Sequence, residues 1–350
     1  MIKRDLNDIS TYSYTLPPAL IAQKPLRVRD NSKLLIVNRE TKEFKDEVFN
    51  NLPCYIERGD CIVLNNTSVM PVRLTGHKEE TGGKVDILLI ERKNDYLWRS
   101  WIKPAKRVRT GSRIYVTKPG EKKTPVITIR NKTEDGYIEV DLGAKDHDNF
   151  LNRYGQTPLP PYINPDFEDD SYHRRRYQPV YARYKGAIAS PTAGLHFTQG
   201  VFRELSEKNI SIARVVLHVG VGTFAPIRSG YLSEHKMHSE WFHIPKSTIK
   251  KIESTHKEGK KVIAVGTTTT RALETFASDG RREGLTSIFI KPGFKFNIVD
   301  SLITNFHLPE TTLIVLVSAF TGIDLTRKAY NHAVGKKYRF YSYGDAMLII

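Results

Sequence analysis

Val262-Ile263-Ala264-Val265-Gly266-Thr267-Thr268-Thr269-Thr270-Arg271-Ala272-Leu273-Glu274 reads as a short apolar strand, a glycine turn and the start of a helix expected over residues 269–278. The same alternation surrounds it. Residues 197–208 read as a helix with Thr198 as its cap, 212–219 as a strand and 246–258 as a helix. Residues 287–290 and 311–320 continue the pattern, the latter as an apolar strand after a loop. Strands alternating with helices predict a mostly parallel sheet with a ligand site at the strands' carboxyl ends.

Upstream the texture differs. Val85, Tyr96, Ser112, Val126 and Tyr137 each open a short β-rich run, and Gly82-Gly83, Gly111, Pro119-Gly120 and Gly136 mark turns between them. That spacing predicts a small β-barrel or sandwich over residues 69–150. The expectation is an α/β protein in which a large, discontinuous α/β domain (1–68 and 151–350) carries an inserted small β-barrel-like domain (69–150).

The 350 residues carry 54 Lys+Arg against 38 Asp+Glu, a formal net charge of +16. Such an excess suits a polyanionic partner. A solvated basic surface is the plain alternative, but the charge is uneven. Residues 92–130 hold twelve Lys/Arg, among them Lys103, Lys106 and Arg107, and only two acids. Tyr172-His173-Arg174-Arg175-Arg176-Tyr177 interleaves cations with rings, a mixture that contacts phosphates and stacks on unpaired bases. Two cysteines, Cys54 and Cys61, no apolar leader and no membrane-length apolar run lead us to expect a cytoplasmic protein without a membrane anchor, a monomer in preference to an oligomer.

Two segments mix small residues, hydroxyls, a histidine and an aromatic: Pro191-Thr192-Ala193-Gly194-Leu195-His196-Phe197 and His218-Val219-Gly220-Val221-Gly222-Thr223-Phe224. A ligand lying against bare backbone explains that mixture better than a core strand does. In the Gly266–Glu274 stretch, helix N-terminal amides and threonine hydroxyls suit an anion, with Arg271 as a clamp. Simple capping by threonine is the alternative. It is neither a P-loop nor a Rossmann fingerprint, and no G-x-S-x-G is present. His235, His238 and His243 lack a partner at metal-ligand spacing, so no metal is expected. Thr304-Asn305-Phe306-His307-Leu308-Pro309-Glu310 and the tail Tyr338-Arg339-Phe340-Tyr341-Ser342-Tyr343-Gly344-Asp345 supply further polar and aromatic groups.

These segments, with Tyr14-Thr15-Leu16-Pro17, Asn65-Asn66-Thr67-Ser68 and Gln178-Pro179-Val180-Tyr181, run in an order that resembles the S-adenosylmethionine:tRNA ribosyltransferase-isomerase family of the queuosine pathway. The resemblance implies transfer and isomerisation of the ribosyl group of S-adenosylmethionine, used as a co-substrate and not as a methyl donor. The acceptor is 7-aminomethyl-7-deazaguanine at the wobble position of a tRNA, and the products are epoxyqueuosine-tRNA, adenine and methionine. Under it, His196 or His218 is expected to transfer protons. Thr192, Gly194, Gly220, Gly222, Thr223, Gly266, Thr267, Thr268 and Arg271 are expected to hold S-adenosylmethionine. His307, Glu310, Phe340, Tyr343 and Asp345 would contact a base, and Arg174, Arg175, Arg176, Lys103, Lys106 and Arg107 the tRNA. A conventional methyltransferase, releasing S-adenosylhomocysteine, and a non-catalytic RNA-binding protein are the alternatives.

Overall fold

A computed structural model describes residues 5–118, 124–165, 169–220, 222, 227 and 229–350. The strands in chain order are β1 (Lys33–Val37), β2 (Phe44–Val48), β3 (Cys61–Asn65), β4 (Thr67–Val69), β5 (Arg73–Lys78), β6 (Lys84–Arg92), β7 (Leu97–Lys103), β8 (Arg113–Val116), β9 (Val126–Lys132), β10 (Ile138–Asp141), β11 (Tyr184–Ala187), β12 (Ser211–Leu217), β13 (Glu240–His243), β14 (Val262–Val265), β15 (Glu283–Thr286), β16 (Ser301–Asn305) and β17 (Ala346–Ile349). The helices are α1 (His147–Tyr154), α2 (Asp170–Arg176), α3 (Gln199–Glu207), α4 (Lys246–Lys257), α5 (Thr267–Asp279), α6 (Thr312–Thr321) and α7 (Ile323–Gly335).

Among the described residues, nine strands form one sheet in the order β15-β13-β12-β3-β14-β16-β17-β1-β2. Every residue of β3, β14, β16 and β17 is buried, and β14 and β17 are apolar throughout. Alternate side chains feed two cores. Val63, Ala264 and Leu302 pack on one face, and Ile62, Leu64, Ile263 and Ile303 on the other. The expectation of a mostly parallel sheet holds only in part. The run β12-β3-β14-β16 and the pair β1-β17 are parallel, whereas β16-β17, β1-β2, β12-β13 and β13-β15 are antiparallel.

The apolar run expected as a strand over 311–320 is the helix α6, buried at seven of its ten positions. A continuous apolar run looks alike in either state, and here its length decides. The strand lies before it, as β16, and the strand expected over 287–290 lies at β15. Thr198 caps α3 as expected, its hydroxyl accepting from the Val201 amide. Mid-helix on α5, the fully buried Glu274 accepts the amides of Asn297, Ile298 and Val299 at 2.9–3.0 Å. These lie just ahead of β16.

Six strands close a barrel in the order β10-β7-β6-β5-β8-β9. Strand β5 has little apolar signal in sequence. It is there because Gly76 lets the backbone approach β8, where a Cβ would sit 2.5 Å from the Tyr115 carbonyl oxygen. The chain divides into two compact units: Met1–Ser68, Pro160–Phe167 and Arg176–Ile350 form the first, and Val69–Leu159 with Glu168–Arg175 the second. Several barrel cations are paired at the surface, Arg73 with Asp86, Arg113 with Glu79 and Arg130 with Asp141.

Candidate functional site

Within the larger unit, the turn after β14 and the loop after β16 open into one cleft of about 620 Å³, counted to its mouth. Gly266 has φ +87°, a conformation suited to glycine, and serves as the N-cap of α5 without a side-chain cap. The four threonines that follow divide their work. Thr269 and Thr270 bond back to the carbonyls of Val265 and Gly266, at 2.6 and 3.2 Å, and belong to the helix itself. Thr267 and Thr268 line the cleft instead. The first amides of α5 lack intrahelical partners, so this corner of the cleft favours electron-rich groups.

The opposite wall is built by Ser190 to Ala193, the floor by Thr304 to Leu308, and one side by the rings of Tyr162 and Tyr341, whose centroids lie 4.6 Å apart. Among the described residues its lining contains no carboxylate, lysine or arginine. Two buried polar atoms in this lining, Ser190 Oγ and Asn305 Oδ1, have no hydrogen-bond partner among the described residues. A buried polar atom left unpaired costs about 1–3 kcal/mol, so both fit a ligand that supplies the missing partner. Asn305 is held ready by its other end, Nδ2 donating to the Tyr341 carbonyl at 3.1 Å.

The three expected histidines have three different settings. His307 lines the cleft, its Nε2 2.7 Å from Thr304 Oγ1 and its carbonyl accepting from the Tyr14 hydroxyl. His196 is not among the lining residues. It is buried under Phe49, with Nδ1 2.8 Å from Ser32 Oγ and Nε2 3.3 Å from Asn305 Nδ2. Burial pushes both rings down to about 3. His218 lines a separate cleft, bonded through Nδ1 to Thr67 Oγ1 at 2.8 Å, and burial lowers its pKa as well.

Beside the first cleft a second, narrower one shares Thr267, Thr268 and Leu313 and contains Gly222 and Arg271. Arg271 does not reach out as a free clamp. Its Nη1 is paired with Glu240 in a buried bridge and its Nε donates to the Ile288 carbonyl, while Nη2 is buried without a partner among the described residues. Glu240, unmarked by any sequence motif, also takes the Gly220 amide at 2.8 Å. Gly194 is required by protein and not by ligand, since a Cβ there would meet the Tyr181 hydroxyl at 2.1 Å. Thr223 lies outside the described residues.

The residues expected to grip a base are placed mainly in the interior. Phe340 is fully buried against Phe306 and Tyr330, Tyr343 packs on Tyr177, and neither lines the cleft. Asp345 accepts the amides of Lys33 and Arg339, and Glu310 takes a positive φ in the loop between β16 and α6. Arg174 is anchored by Asp170 and by the carbonyls of Asn152 and Gly155, Arg175 by Ser171 Oγ and Arg176 by the Leu26 carbonyl. Lys103, Lys106 and Arg107 are exposed on the barrel. No helix among the described residues is long and apolar enough to cross a membrane, and among them no three His, Cys, Asp or Glu gather as a metal site would require.

Comparison with known proteins extends this picture. Residues 9–349 match the family model described as "Queuosine biosynthesis protein". The chain is 47% identical to the S-adenosylmethionine:tRNA ribosyltransferase-isomerase of Acetivibrio thermocellus, over 97% of this chain and 99% of that one. It is 44% identical to the enzyme of the same name from Sulfurihydrogenibium sp., over 98% and 99%. Among solved structures it resembles an S-adenosylmethionine tRNA ribosyltransferase from Thermotoga maritima, with TM-score 0.56, 34% identity and coverage of 97% and 100%.

Proposed function

Since the chain belongs to the S-adenosylmethionine:tRNA ribosyltransferase-isomerase family and is an enzyme of that class, we propose that its cleft takes S-adenosylmethionine as ribosyl donor. The acceptor is the 7-aminomethyl-7-deazaguanine of a tRNA wobble position. The products are epoxyqueuosine-tRNA, adenine and methionine, and the reaction takes place in the cytoplasm.

The observation that carries this reading is the pair of unpartnered atoms, Ser190 Oγ and Asn305 Oδ1, in an uncharged cleft beside the α5 N-terminus. Asn305 Oδ1 would accept from the exocyclic amine of adenine, and Tyr162 and Tyr341 offer it flat apolar contact. Thr267, Thr268 and the first α5 amides would hold the donor's electron-rich end, with Arg271 Nη2 as the nearby cation for its carboxylate. An uncharged lining suits a substrate that already carries a sulfonium, because it adds no second positive charge beside it.

The reaction needs a base for the ribose carbon next to sulfur and a neutral amine as nucleophile. Of the candidate histidines, His307 is the one in this cleft; burial keeps its ring neutral but weakens it as a base, so it suits hydrogen bonding to the substrate better than proton abstraction. His196 orients Asn305 from behind. Closing this narrow cleft around both substrates would supply much of the acceleration through positioning.

The test is to incubate the protein with S-adenosylmethionine and precursor-modified tRNA and to identify products by mass. Free adenine, methionine and epoxyqueuosine are expected. S-adenosylhomocysteine, or tRNA binding without turnover, would overturn the reading.

A further inference from the structure

Beside α4 the strands β12 and β13 line a groove of about 1020 Å³, counted to its mouth. Period-two alternation brings Ile212, Arg214 and Val216 of β12, with the following His218, to this face. The His218 amide donates to the Trp241 carbonyl, so the two residues are neighbours across the strands. Their rings stack at 5.0 Å and 22°, and Trp241 stacks on His243 at 6.3 Å and 9°. The result is a ladder of three nearly parallel rings.

Charge surrounds the ladder. Arg183, Lys185, Arg214 and Lys251 line the groove, and among the described residues no carboxylate does. Tyr184, 50% exposed, stands at its rim with the Arg183 guanidinium over its ring. Asn66 contributes a buried Oδ1 that no group among the described residues satisfies. Aromatic faces, four cations and one unpaired acceptor in a single groove match unpaired nucleotides. Bases stack, phosphates pair with cations, and an exocyclic amine fills the acceptor.

We propose that this groove binds an unpaired segment of RNA, namely loop nucleotides of the tRNA whose modified base enters the neighbouring cleft. This inference rests on the tRNA-modifying function proposed above. The two cavities have consecutive residues in their linings. His218 faces the groove, and Val219, the next residue, lines the cleft. The ring of His218 is seated by Thr67 Oγ1 and by Gly186, where a Cβ would come within 2.5 Å of it. His218 therefore acts here as part of a stacking platform.

The experiment measures binding of a fluorescent, unmodified tRNA transcript to the full chain over a series of salt concentrations. Trp241→Ala should weaken binding about 5- to 150-fold, the loss of one base–ring stack. Arg214→Gln with Lys251→Gln should reduce the slope of log K against log salt by about 1.4, two single-strand phosphate contacts. Wild-type affinity and slope in variants that still unfold cooperatively would overturn the proposal. So would equal competition by a polyaspartate peptide, which would show a groove that only collects negative charge. If Trp241→Ala does not fold, the double glutamine variant carries the test alone. A wild-type protein that binds RNA with these dependences but releases no adenine would refute the proposed reaction and leave the groove standing.

Discussion

Glu240 and Arg271 form a buried ion pair in which one carboxylate oxygen holds the guanidinium and the other holds the Gly220 amide. The strand β13 is thereby tied to helix α5 and to the segment after β12. Replacing Arg271 by Met strands a carboxylate in the interior and should cost about 3–5 kcal/mol of stability. Adding Glu240→Gln to Arg271→Met should return part of it. Denaturant unfolding of the two variants checks this, and a single-variant loss below about 1 kcal/mol would refute it.

Ser190 is the cleaner probe of the cleft. Its hydroxyl makes no bond among the described residues, so Ser190→Ala should not destabilise the free protein and should stabilise it by up to about 1–3 kcal/mol. The KM for S-adenosylmethionine should rise about 3- to 10-fold, one neutral hydrogen bond. Steady-state kinetics beside a melting curve separates the two effects. A destabilised variant with an unchanged KM would show that the hydroxyl serves the fold.

Acid should weaken the protein through His196 and His307. Burial lowers both folded pKa values to about 3 from an ordinary 6.5. Between those values the unfolded chain binds more protons than the folded one, so stability rises with pH across that window. As the pH is lowered through it, each histidine should contribute a loss of up to about 1.4 kcal/mol per unit. Above 6.5 neither contributes a slope. Urea titrations at successive pH values should show this, and His196→Asn should flatten part of the slope even as it lowers stability overall.

Gly194→Ala should be destabilising by about 1–3 kcal/mol, because its Cβ collides with the Tyr181 hydroxyl. That hydroxyl is itself buried and unpartnered. Tyr181→Phe alone should therefore be close to neutral, and combined with Gly194→Ala it should recover part of the loss. Thermal melts of the three variants decide; no recovery in the pair would place the strain elsewhere.

Much of the architecture is legible in the chain. The run Val262–Val265 with Gly266 behind it marks both the strand and the turn, since a positive φ at the head of α5 calls for glycine. The barrel strands show in turn spacing, but β5 does not, because a strand seated by a missing Cβ leaves no apolar signature. In the site, Gly266, Thr267, Thr268 and His307 were readable as cleft residues. Phe340 and Asp345 lie in the interior, and their sequence context could not tell this: an aromatic beside a turn and a carboxylate beside amides look alike whether they face a ligand or lock the core. Glu240 was invisible, since its role comes from cross-strand neighbours far away in sequence.

The buried Glu274 has a consequence for exchange with solvent. Its two oxygens receive the amides of Asn297, Ile298 and Val299, so the approach to β16 is bolted to the middle of the helix whose first turn borders the cleft. The two walls should then breathe as one body. In deuterated water these three amides should exchange as slowly as the strand hydrogen bonds of β14 and β16, by opening of the whole unit, although they lie outside any strand or helix. Replacing Glu274 with Gln should release them first, before any change reaches the strands themselves.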